Sequence, residues 1–372
     1  MISSFYEKIV GGSPPCEENN PKILCVGLTC LDIVQTVDNF PIEDSDTRCS
    51  DYKWQLGGNS ANDCTVLSLL GSSSEFFGVL GDDYQFRFLQ DDMRKHGIDF
   101  SHCPRVEGIG CPTSTVILCS SSGSRTIVHY NPNFPELTLE DFEKLKLEDY
   151  SWINFEGRNI PRVLAMMQHV EAYNDSLKEG ESDRSPVTIS VELEKMNPEL
   201  LDLLPYADVA FVSKDFARNR GHENMSEAIR NIAQDIKSGA TIVCAWGDRG
   251  AMARTRDGTI VQSPAFPPPK IVDTLGAGDT FVAATIHYLN NIKLQSEKKE
   301  NKSDIRDQVN QSDGGVTRNQ NIESLQCSKT AFIDQSALQS AITFGCRMAG
   351  IKIGFSGYEG LRSKENIKHI HL

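Results

Sequence analysis

Short apolar runs separated by longer amphipathic stretches form the main pattern of this 372-residue chain. Continuous apolar runs are typical of parallel strands that are buried on both faces. Amphipathic stretches such as Ala61–Leu70, Phe86–His96 and Ser226–Lys237 predict helices between the runs. The alternation predicts an α/β fold with a mostly parallel sheet flanked by helices on both faces. The predicted strands are Ile23–Gly27, Phe76–Val79, Trp152–Phe155, Val187–Val191, Val209–Val212 and Thr241–Ala245.

Other segments break this alternation. Cys49–Leu56 and Thr113–Tyr130 are rich in β-type residues, and the second contains a Ser121–Ser124 turn. They predict strands of a small antiparallel sheet inserted into the larger fold. Residues 296–328 carry many Lys, Asn, Gln, Ser and Asp with almost no apolar side chains, which predicts a disordered or solvated insertion. Residues 1–21 contain Gly-Gly and Pro-Pro and predict a flexible N-terminal arm.

The segment Asp273–Phe281 carries the most informative chemistry. It has the sequence Asp-Thr-Leu-Gly-Ala-Gly-Asp-Thr-Phe and lies between a strand-like run and a helix-like run. A glycine-rich turn at a helix N-terminus forms an anion site, because unpaired amides and the helix dipole point at one spot. Asp279 is a poor phosphate ligand but a suitable base for an attacking hydroxyl, although a simple helix cap is the alternative. We therefore predict phosphoryl transfer at Gly276, Ala277, Gly278 and Asp279.

Composition and charge exclude several classes of protein. The net charge of −14 argues against nucleic acid and anionic membranes as partners. A G-x-x-x-x-G-K-[ST] motif is absent, so the chain is not a P-loop enzyme. The eleven cysteines form no C-x-x-C pair, which predicts buried thiols in a reducing cytoplasm rather than a zinc site. No apolar run is long enough for a transmembrane helix, and the N-terminus does not resemble a secretory signal.

Two motifs resemble a known family. Asp273–Phe281 is similar to the C-terminal motif of the ribokinase/PfkB family of carbohydrate kinases, and Gly57–Asn62 (Gly-Gly-Asn-Ser-Ala-Asn) to its N-terminal motif. The resemblance is collinear from about Ile23 to about Gly360, apart from the insertion, and is closest to the ketose kinases of the family. The segments that favour these ketose kinases include Phe155–Asn159, Phe211–Asp215, Val243–Trp246 and Ala265–Pro269.

The resemblance implies a fold and an activity. The fold is a ribokinase-like core of residues 22–44, 58–111 and 132–372 with a β-lid of residues 45–57 and 112–131. The lid implies a homodimer in which two lids clasp each other. The activity is ATP-dependent phosphorylation of a ketose, D-fructose at its C1 hydroxyl. Kinases of ribose, adenosine or keto-deoxy sugars remain alternatives, as does a catalytically inactive sugar-binding relative.

The resemblance also assigns the sugar site. Asp32, Gly58, Asn59 and Asn62 match family positions that bind sugar hydroxyls, which a carboxylate and amides can do by accepting and donating hydrogen bonds. A turn role for Asp32 and helix capping by the two asparagines are the alternatives. Asp44, at the edge of the lid, is expected to contribute from its own or a partner subunit.

For the nucleotide, Arg125 is the best fixed cation for phosphate, and a solvated hairpin position is its alternative. The resemblance places the remaining nucleotide contacts in two loops or helices: Trp246, Gly247, Asp248, Gly250, Gly345 and Cys346. An ordinary turn is the alternative for the first four residues, and helix packing for the last two.

The resemblance finally implies metal ions. Mg²⁺ is expected to bind mainly through phosphate oxygens and water, with Glu156 as an indirect contact or, alternatively, a structural hydrogen-bond acceptor. Asp273 and Thr274 match family residues that bind an activating monovalent cation, for which K⁺ is the candidate.

Overall fold

The computed structural model describes residues 20–179, 184–310 and 329–362. The predicted N-terminal arm lies outside the described residues except for its last two positions, and so do residues 311–328 of the polar insertion. Across the described ranges, no helix combines the length and the apolar character that crossing a bilayer requires.

The main sheet contains eight strands within the described residues. All six predicted apolar runs form neighbouring parallel strands, which confirms the predicted mostly parallel α/β fold. An antiparallel hairpin that the sequence did not predict extends one edge. The strands are β1 Lys22–Val26, β4 Ser74–Phe77, β7 Tyr150–Glu156, β8 Thr188–Leu193, β9 Val209–Val212, β10 Thr241–Ala245, β11 Ala251–Arg254 and β12 Ile260–Ser263. Their order is β12-β11-β10-β9-β8-β7-β1-β4.

Helices connect and cover these strands. The helices of the described ranges are α1 Asn59–Leu69, α2 Tyr84–Lys95, α3 Leu139–Phe142, α4 Ile160–Glu179, α5 Lys214–Asn219, α6 Met225–Ile232, α7 Ala277–Asn310 and α8 Gln335–Lys352. Many begin at a side chain that accepts a hydrogen bond from a first-turn amide, as Asp83, Ser213 and Asp334 do. Helix α1 begins instead at Gly58, which has no side chain to cap it.

A separate four-stranded sheet covers one end of the main sheet. Its strands are β2 Cys30–Val37, β3 Asp51–Gly57, β5 Thr113–Cys119 and β6 Arg125–Tyr130, in the order β3-β2-β5-β6. We call this sheet the lid. The predicted boundaries are corrected here, because residues 30–37 form its second strand rather than part of the core. The lid also differs from the predicted antiparallel sheet, because its two central strands, β2 and β5, run parallel. The sequence hid β2 because Asp32, Gln35 and Thr36 interrupt its apolar pattern.

The two faces of the lid have different surroundings. On the inner face, Val34, Val116 and Leu118 form a small buried cluster with Leu275 of the glycine-rich segment. The strand register places Tyr52, Ile117, Val128 and Tyr130 on the outer face. There the side chains of Tyr52, Val128 and Tyr130 are 55%, 62% and 64% exposed. The lid thus packs on the core with one face and presents apolar side chains to solvent with the other.

The polar insertion begins differently from the prediction. Helix α7 continues to Asn310, so residues 296–310 are helical and not a loop. Residues 296–310 include three Lys, two Glu and one Gln, which favour helix, although their polar composition is also typical of disorder. Composition alone therefore did not distinguish a solvated helix from a solvated loop.

Close packing between α7 and α8 depends on Gly345. A Cβ atom at this position would lie 2.5 Å from Thr285 Oγ1 and 3.0 Å from the Phe281 carbonyl oxygen. The Thr285 hydroxyl cannot easily move, because it donates a 2.7 Å hydrogen bond to that same carbonyl. We expect Gly345→Ala to destabilise the chain by roughly 1–3 kcal/mol through overpacking, despite the higher helix propensity of alanine. Thermal unfolding measures the change. Gly110→Ala is the control, because a Cβ there meets nothing within 4 Å, and an equal loss in both variants would contradict the prediction.

Candidate active site

The glycine-rich segment forms a tight turn into α7. Gly276 has a φ of 74°, and a Cβ atom there would lie 1.8 Å from Tyr358 Oη, so only glycine fits. The amides of Gly278 and Asp279 follow in the first helical turn, where the helix itself supplies no carbonyl partner. These amides and the positive end of the helix dipole provide a site for an anion.

Asp279 lies inside the first turn of α7 and faces the core rather than the helix backbone. Its carboxylate accepts a 2.7 Å hydrogen bond from Asn62 Nδ2, which is a contact between helices and not a helix cap. Burial, followed by the nearby Glu194 and Glu192 carboxylates, raises the pKa of Asp279 to about 8. A carboxylate with a pKa near neutrality can accept a proton from a hydroxyl and release it afterwards.

Carboxylates that the sequence analysis missed surround Asp279. Glu192 and Glu194 lie at the carboxyl end of β8, where ligands of open α/β sheets bind. Asn59 Nδ2 donates to Glu194 Oε2 at 2.7 Å and lies 3.4 Å from Glu192 Oε2. Burial, with Glu156 and Glu194 adding to it, raises the pKa of Glu192 to about 7. The carboxylates directly after the predicted strand Val187–Val191 were the signal that could have identified them.

Asn154 and Asp63 extend this hydrogen-bond network on the other side of Glu192. Asn154 Nδ2 donates to Glu192 Oε1 at 2.8 Å and to Asp63 Oδ2 at 3.0 Å. Burial raises the pKa of Asp63 well above its usual range, and the Glu192 charge adds to the effect. Lys195 supplies the opposite charge, 2.8 Å from Glu194. Amides and one lysine therefore hold several carboxylates together at the carboxyl end of the main sheet.

The predicted sugar residues converge on this end of the main sheet. They are Asp32, Gly58, Asn59 and Asn62. Asp32 is buried on the inner face of the lid, and Gly57 leaves room for it, because a Cβ there would lie 2.4 Å from Asp32 Cγ. Gly58 has a φ of 94° and lies against the Leu28 carbonyl. Both asparagines direct their amides at carboxylates, so they do not cap α1.

Further polar groups line the inner face of the lid near Asp32. The Ser114 hydroxyl lies 3.1 Å from His129 Nδ1. Burial raises the pKa of Asp32 to about 6, while its hydrogen bond with Ser114 opposes the change. Burial lowers the pKa of His129, as do the charges of Arg158 and Lys195. Strand alternation within Thr113–Tyr130 contained a signal for these residues, but only the register of β5 and β6 places them beside Asp32.

Tyr358 was also missed, and it links the two halves of the site. Its hydroxyl is buried without a hydrogen-bond partner among the described residues. Burial raises its pKa well above the usual range, and the charges of Asp279, Asp32, Asp273 and Asp63 contribute. The phenol therefore lies amid the carboxylates of both the phosphate side and the sugar side.

The predicted nucleotide residues occupy separate positions. Arg125, at the start of β6, approaches the glycine-rich segment with its Nη1 3.4 Å from Thr274 Oγ1. The turn after β10 contains a buried Trp246 and an exposed Asp248. Gly247 and Gly250 have φ values of 59° and 80°, so backbone conformation accounts for both glycines.

Gly345 and Cys346 are buried in α8, where Gly345 packs on Thr285 and burial raises the pKa of Cys346 to about 11. Helix packing, the alternative weighed for both residues, therefore describes their contacts. No group of three or more His, Cys, Asp or Glu side chains suited to a metal ion exists among the described residues.

Glu156 has a structural environment. Its carboxylate accepts a 2.9 Å hydrogen bond from the Leu28 amide and lies 3.6 Å from Arg158 Nη1. Asp44 is exposed in the loop between β2 and β3 with a φ of 60°, and it shares no hydrogen bond with the other site residues of the described chain. Asp44 therefore lies apart from the groups around Asp279. Glu156 borders them, because it is the strand partner of Glu192 and its Oε1 lies 3.9 Å from Lys195 Nζ.

Asp273 is buried beneath the glycine-rich segment. Its Oδ1 accepts the Leu275 amide at 2.9 Å, and its Oδ2 accepts the Gly357 amide at 3.2 Å. Lys352 Nζ lies 3.0 Å from Oδ2. Burial lowers the pKa of the Lys352 ammonium, and the attraction of Asp273 opposes this change.

Comparison with known proteins places this site in a family. Residues 20–320 match the description pfkB family carbohydrate kinase. Ketohexokinase of Mus musculus is 39% identical over 340 residues, which cover 91% of this chain and 98% of that relative. Ribokinase of Dictyostelium discoideum is 23% identical over 292 residues, covering 73% and 88% of the two chains.

Solved structures support the fold. Ribokinase from Giardia lamblia aligns with a TM-score of 0.73 at 17% identity, over 94% of this chain and 98% of its own. Arabidopsis thaliana ribokinase, complexed with ribose and ATP, aligns with a TM-score of 0.66 at 18% identity, over 94% and 98%. The ribokinase-like fold with its β-lid is thereby confirmed. With the family match over most of its length and the glycine-rich turn that positions Asp279, the chain belongs to the pfkB family of carbohydrate kinases.

Proposed function

We propose that this chain transfers the γ-phosphoryl group of ATP to a ketose, and that it converts D-fructose to D-fructose 1-phosphate. The observation that carries the proposal is Asp279, a carboxylate of raised pKa held by Asn62 at the N-terminus of α7. Its surroundings suit a base beside a phosphate site. The identity to ketohexokinase over nearly the full length of both chains supports the choice of a ketose.

Asp279 accepts the proton of the C1 hydroxyl, or orients it, as the oxygen attacks the γ-phosphorus in line. The bond from the γ-phosphorus to the bridging oxygen of the β-phosphate breaks, and ADP leaves with that oxygen. The Asn62 amide fixes the carboxylate that receives the proton. Burial and the charges of Glu194 and Glu192 make the carboxylate basic enough for this role. The proton can leave after transfer because a pKa of about 8 lies close to neutral pH.

The phosphoryl group being transferred carries negative charge that the site must stabilise. The amides of Gly278 and Asp279 and the α7 dipole lie where its oxygens would arrive. Arg125 adds a permanent cation, and its contact with Thr274 places it next to the same segment. Magnesium bound with the nucleotide supplies further positive charge, and the Glu192 and Glu194 carboxylates are suited to accept hydrogen bonds from its water ligands.

Asp32, Asn59 and Asn62 are proposed to bind the sugar hydroxyls, since they approach from the lid and from α1. Ser114 and His129 extend the polar surface of the lid beside Asp32. Closing the lid over the core would exclude water and limit wasteful hydrolysis of ATP.

Other sugars of the family define the second candidate. 5-Dehydro-2-deoxygluconokinase of Bacillus subtilis is 25% identical over 73% of this chain. Asp32, Asn59 and Asn62 can bind the hydroxyls of many sugars and so do not select one of them. The deciding experiment measures ADP release with MgATP across fructose, ribose, adenosine and keto-deoxy sugars. We expect fructose to give the highest kcat/KM, with NMR locating the phosphate on C1. ADP release with none of these compounds would favour a sugar-binding protein without catalysis.

We further propose a homodimer formed through the outer face of the lid. The exposed side chains of Tyr52, Val128 and Tyr130, together with Ile117, make an apolar face on a four-stranded sheet that cannot bury it alone. A second copy is the natural partner, because the same face can pair with itself about a two-fold axis. Asp44, in the neighbouring loop, would then reach toward the sugar site of the partner.

We propose a cytoplasmic location. All cysteines of the described residues are free thiols, and only Cys49 among them is exposed. Free thiols persist in a reducing compartment, whereas secreted proteins usually oxidise them to disulfides.

We expect Asp279→Asn to lower kcat by roughly 10²–10⁴-fold, because the amide cannot accept the proton. ATP affinity and the fold should be preserved. Steady-state kinetics, nucleotide titration and circular dichroism measure the three properties. Asp91→Asn, at an exposed position of α2, is the matched control and should retain full turnover. Near-normal turnover of Asp279→Asn would remove this residue from the mechanism.

The raised pKa of Asp279 also predicts pH dependence. The base is protonated in the free enzyme below a pKa of about 8, so kcat/KM for the sugar should rise as the pH approaches 8. The Asn variant should lose this rise. The folded chain holds the Asp279 proton more tightly than the unfolded chain between about pH 4 and pH 8, so this contribution to stability decreases as the pH rises through that window. The profile is measured at constant ionic strength, because salt screens the charges of the site. A flat kcat/KM profile for the wild type between pH 6 and pH 8 would contradict the assignment.

The dimer proposal is tested by Val128→Asp. The new charge on the outer face of the lid should produce monomers, because burying an unpaired carboxylate in the interface is unfavourable. Sugar affinity should weaken as well, because the partner's Asp44 would no longer reach the sugar site. Sedimentation equilibrium and sugar titration measure both effects. Ile260→Asp, on the half-exposed edge strand β12 of the main sheet, is the control and should remain dimeric. A monomeric wild type with full activity would exclude the proposal.

A further inference from the structure

A buried ion pair lies directly behind the anion site. Lys352, the last residue of α8, has a side chain that is 0% exposed, and the side chain of Asp273 is 2% exposed. Lys352 Nζ lies 3.0 Å from Asp273 Oδ2 and donates to the Asp273 carbonyl oxygen at 3.0 Å. One ammonium group therefore contacts both a carboxylate oxygen and a main-chain oxygen of the residue that begins the glycine-rich segment.

These oxygens are the ligands that a monovalent cation at Asp273 would require. The other contacts of the carboxylate are also satisfied, by the amides of Leu275 and Gly357. Thr274 Oγ1 donates to the Gly123 carbonyl at 3.2 Å and lies against Arg125, so it is directed toward the lid. The expectation of a K⁺ ion held by Asp273 and Thr274 therefore does not fit the residues present.

We propose that the Lys352 ammonium is the built-in cation of this position, so that the anion site of the proposed kinase works without a dissociable monovalent cation. Lys352 acts as a positioning residue, because it contacts the glycine-rich segment from behind and not the reacting atoms. The proposal rests on the proposed function for its kinetic consequences, while its consequences for cation binding are independent of the substrate.

The connections around Lys352 explain how it positions the segment. The amides of Val272 and Asp273 donate to the Ile353 carbonyl at 2.8 Å and 3.3 Å, which attaches the segment to the end of α8. Lys352 Nζ also lies 5.6 Å from the centre of the Tyr358 ring, whose hydroxyl packs against Gly276. The ammonium thus supports the turn through Asp273 and through Tyr358.

Charge gives a second reason for a cation here. Without Lys352, the Asp273 carboxylate would be a buried, uncompensated negative charge behind the site at which a phosphoryl anion must bind. Such a charge disfavours both the local fold and the transition state. A lysine cannot dissociate from the chain, so it keeps the position occupied at any ionic composition of the solvent.

The test compares wild type, Lys352→Ala and Lys293→Met in buffers whose only monovalent cation is tetramethylammonium, with and without added KCl or NH₄Cl. The wild type should show the same kcat/KM and the same Tm in all buffers. Lys352→Ala should lose roughly 10²-fold in kcat/KM and regain part of it with NH₄⁺ or K⁺, which should also raise its Tm. Lys293 is buried, and the hydrogen bonds that it donates within the described residues go to uncharged oxygens, those of Ser151, Pro186 and Thr188. Lys293→Met should therefore lose stability without any cation rescue.

Several outcomes would overturn the proposal. It fails if the wild type requires K⁺ for activity or is stabilised by K⁺ over tetramethylammonium, or if Lys352→Ala responds to cations no more than Lys293→Met does. If Lys352→Ala does not fold, the double variant Lys352→Met with Asp273→Asn removes both charges and should fold without cation dependence. The Tm measurements need no sugar, so absence of sugar kinase activity would refute the proposed function while leaving the cation assignment to be decided by Tm alone.

Discussion

The mutual repulsion of carboxylates around Asp279 is the constraint on which the site depends. Burial, followed by the charges of Glu194 and Glu192, raises the pKa of Asp279, and those two glutamates are held in place by the amides of Asn59 and Asn154. Desolvation alone would protonate such a group, and a fully solvated carboxylate would be too weak a base. The asparagines allow the carboxylates to lie close together without a full set of cations, which keeps Asp279 basic.

Positive charge at the proposed nucleotide site must be local, because the chain as a whole is acidic. The chain has a net charge of −14, yet a nucleotide is a polyanion. Four cationic groups lie near the proposed site: the α7 N-terminus, Arg125 on the lid, Lys195 beside Glu194 and Lys352 behind Asp273. Because Arg125 belongs to the lid and Thr274 to the core, the proposed phosphate site would draw on both parts. Movement of the lid would therefore alter the binding of sugar and phosphate together.

The sequence predicted the main fold because its signals are local. The parallel strands are short and rich in apolar residues, and β7, β8, β9 and β10 lie at the predicted positions. The lid was only partly predicted. Strand β2 contains Asp32, Gln35 and Thr36, which interrupt the apolar pattern and obscured the signal for a strand. The helix at residues 296–310 was missed because polar residues of high helix propensity are also typical of solvated loops.

By itself, the sequence determined the glycine-rich turn at a helix N-terminus and placed Asp279, the proposed base, within it, because a strand, two glycines and Asp279 are adjacent along the chain and require no distant contact. Tertiary structure alone decided the partners of that base. Asn62, Glu192 and Glu194 come from other elements, and the pairing of Lys352 with Asp273 joins the last residue of α8 to the residue that begins the glycine-rich segment. The physical reason is that pKa values and ion pairs depend on burial and on distances across the fold, which the folded chain sets and the order of residues does not display.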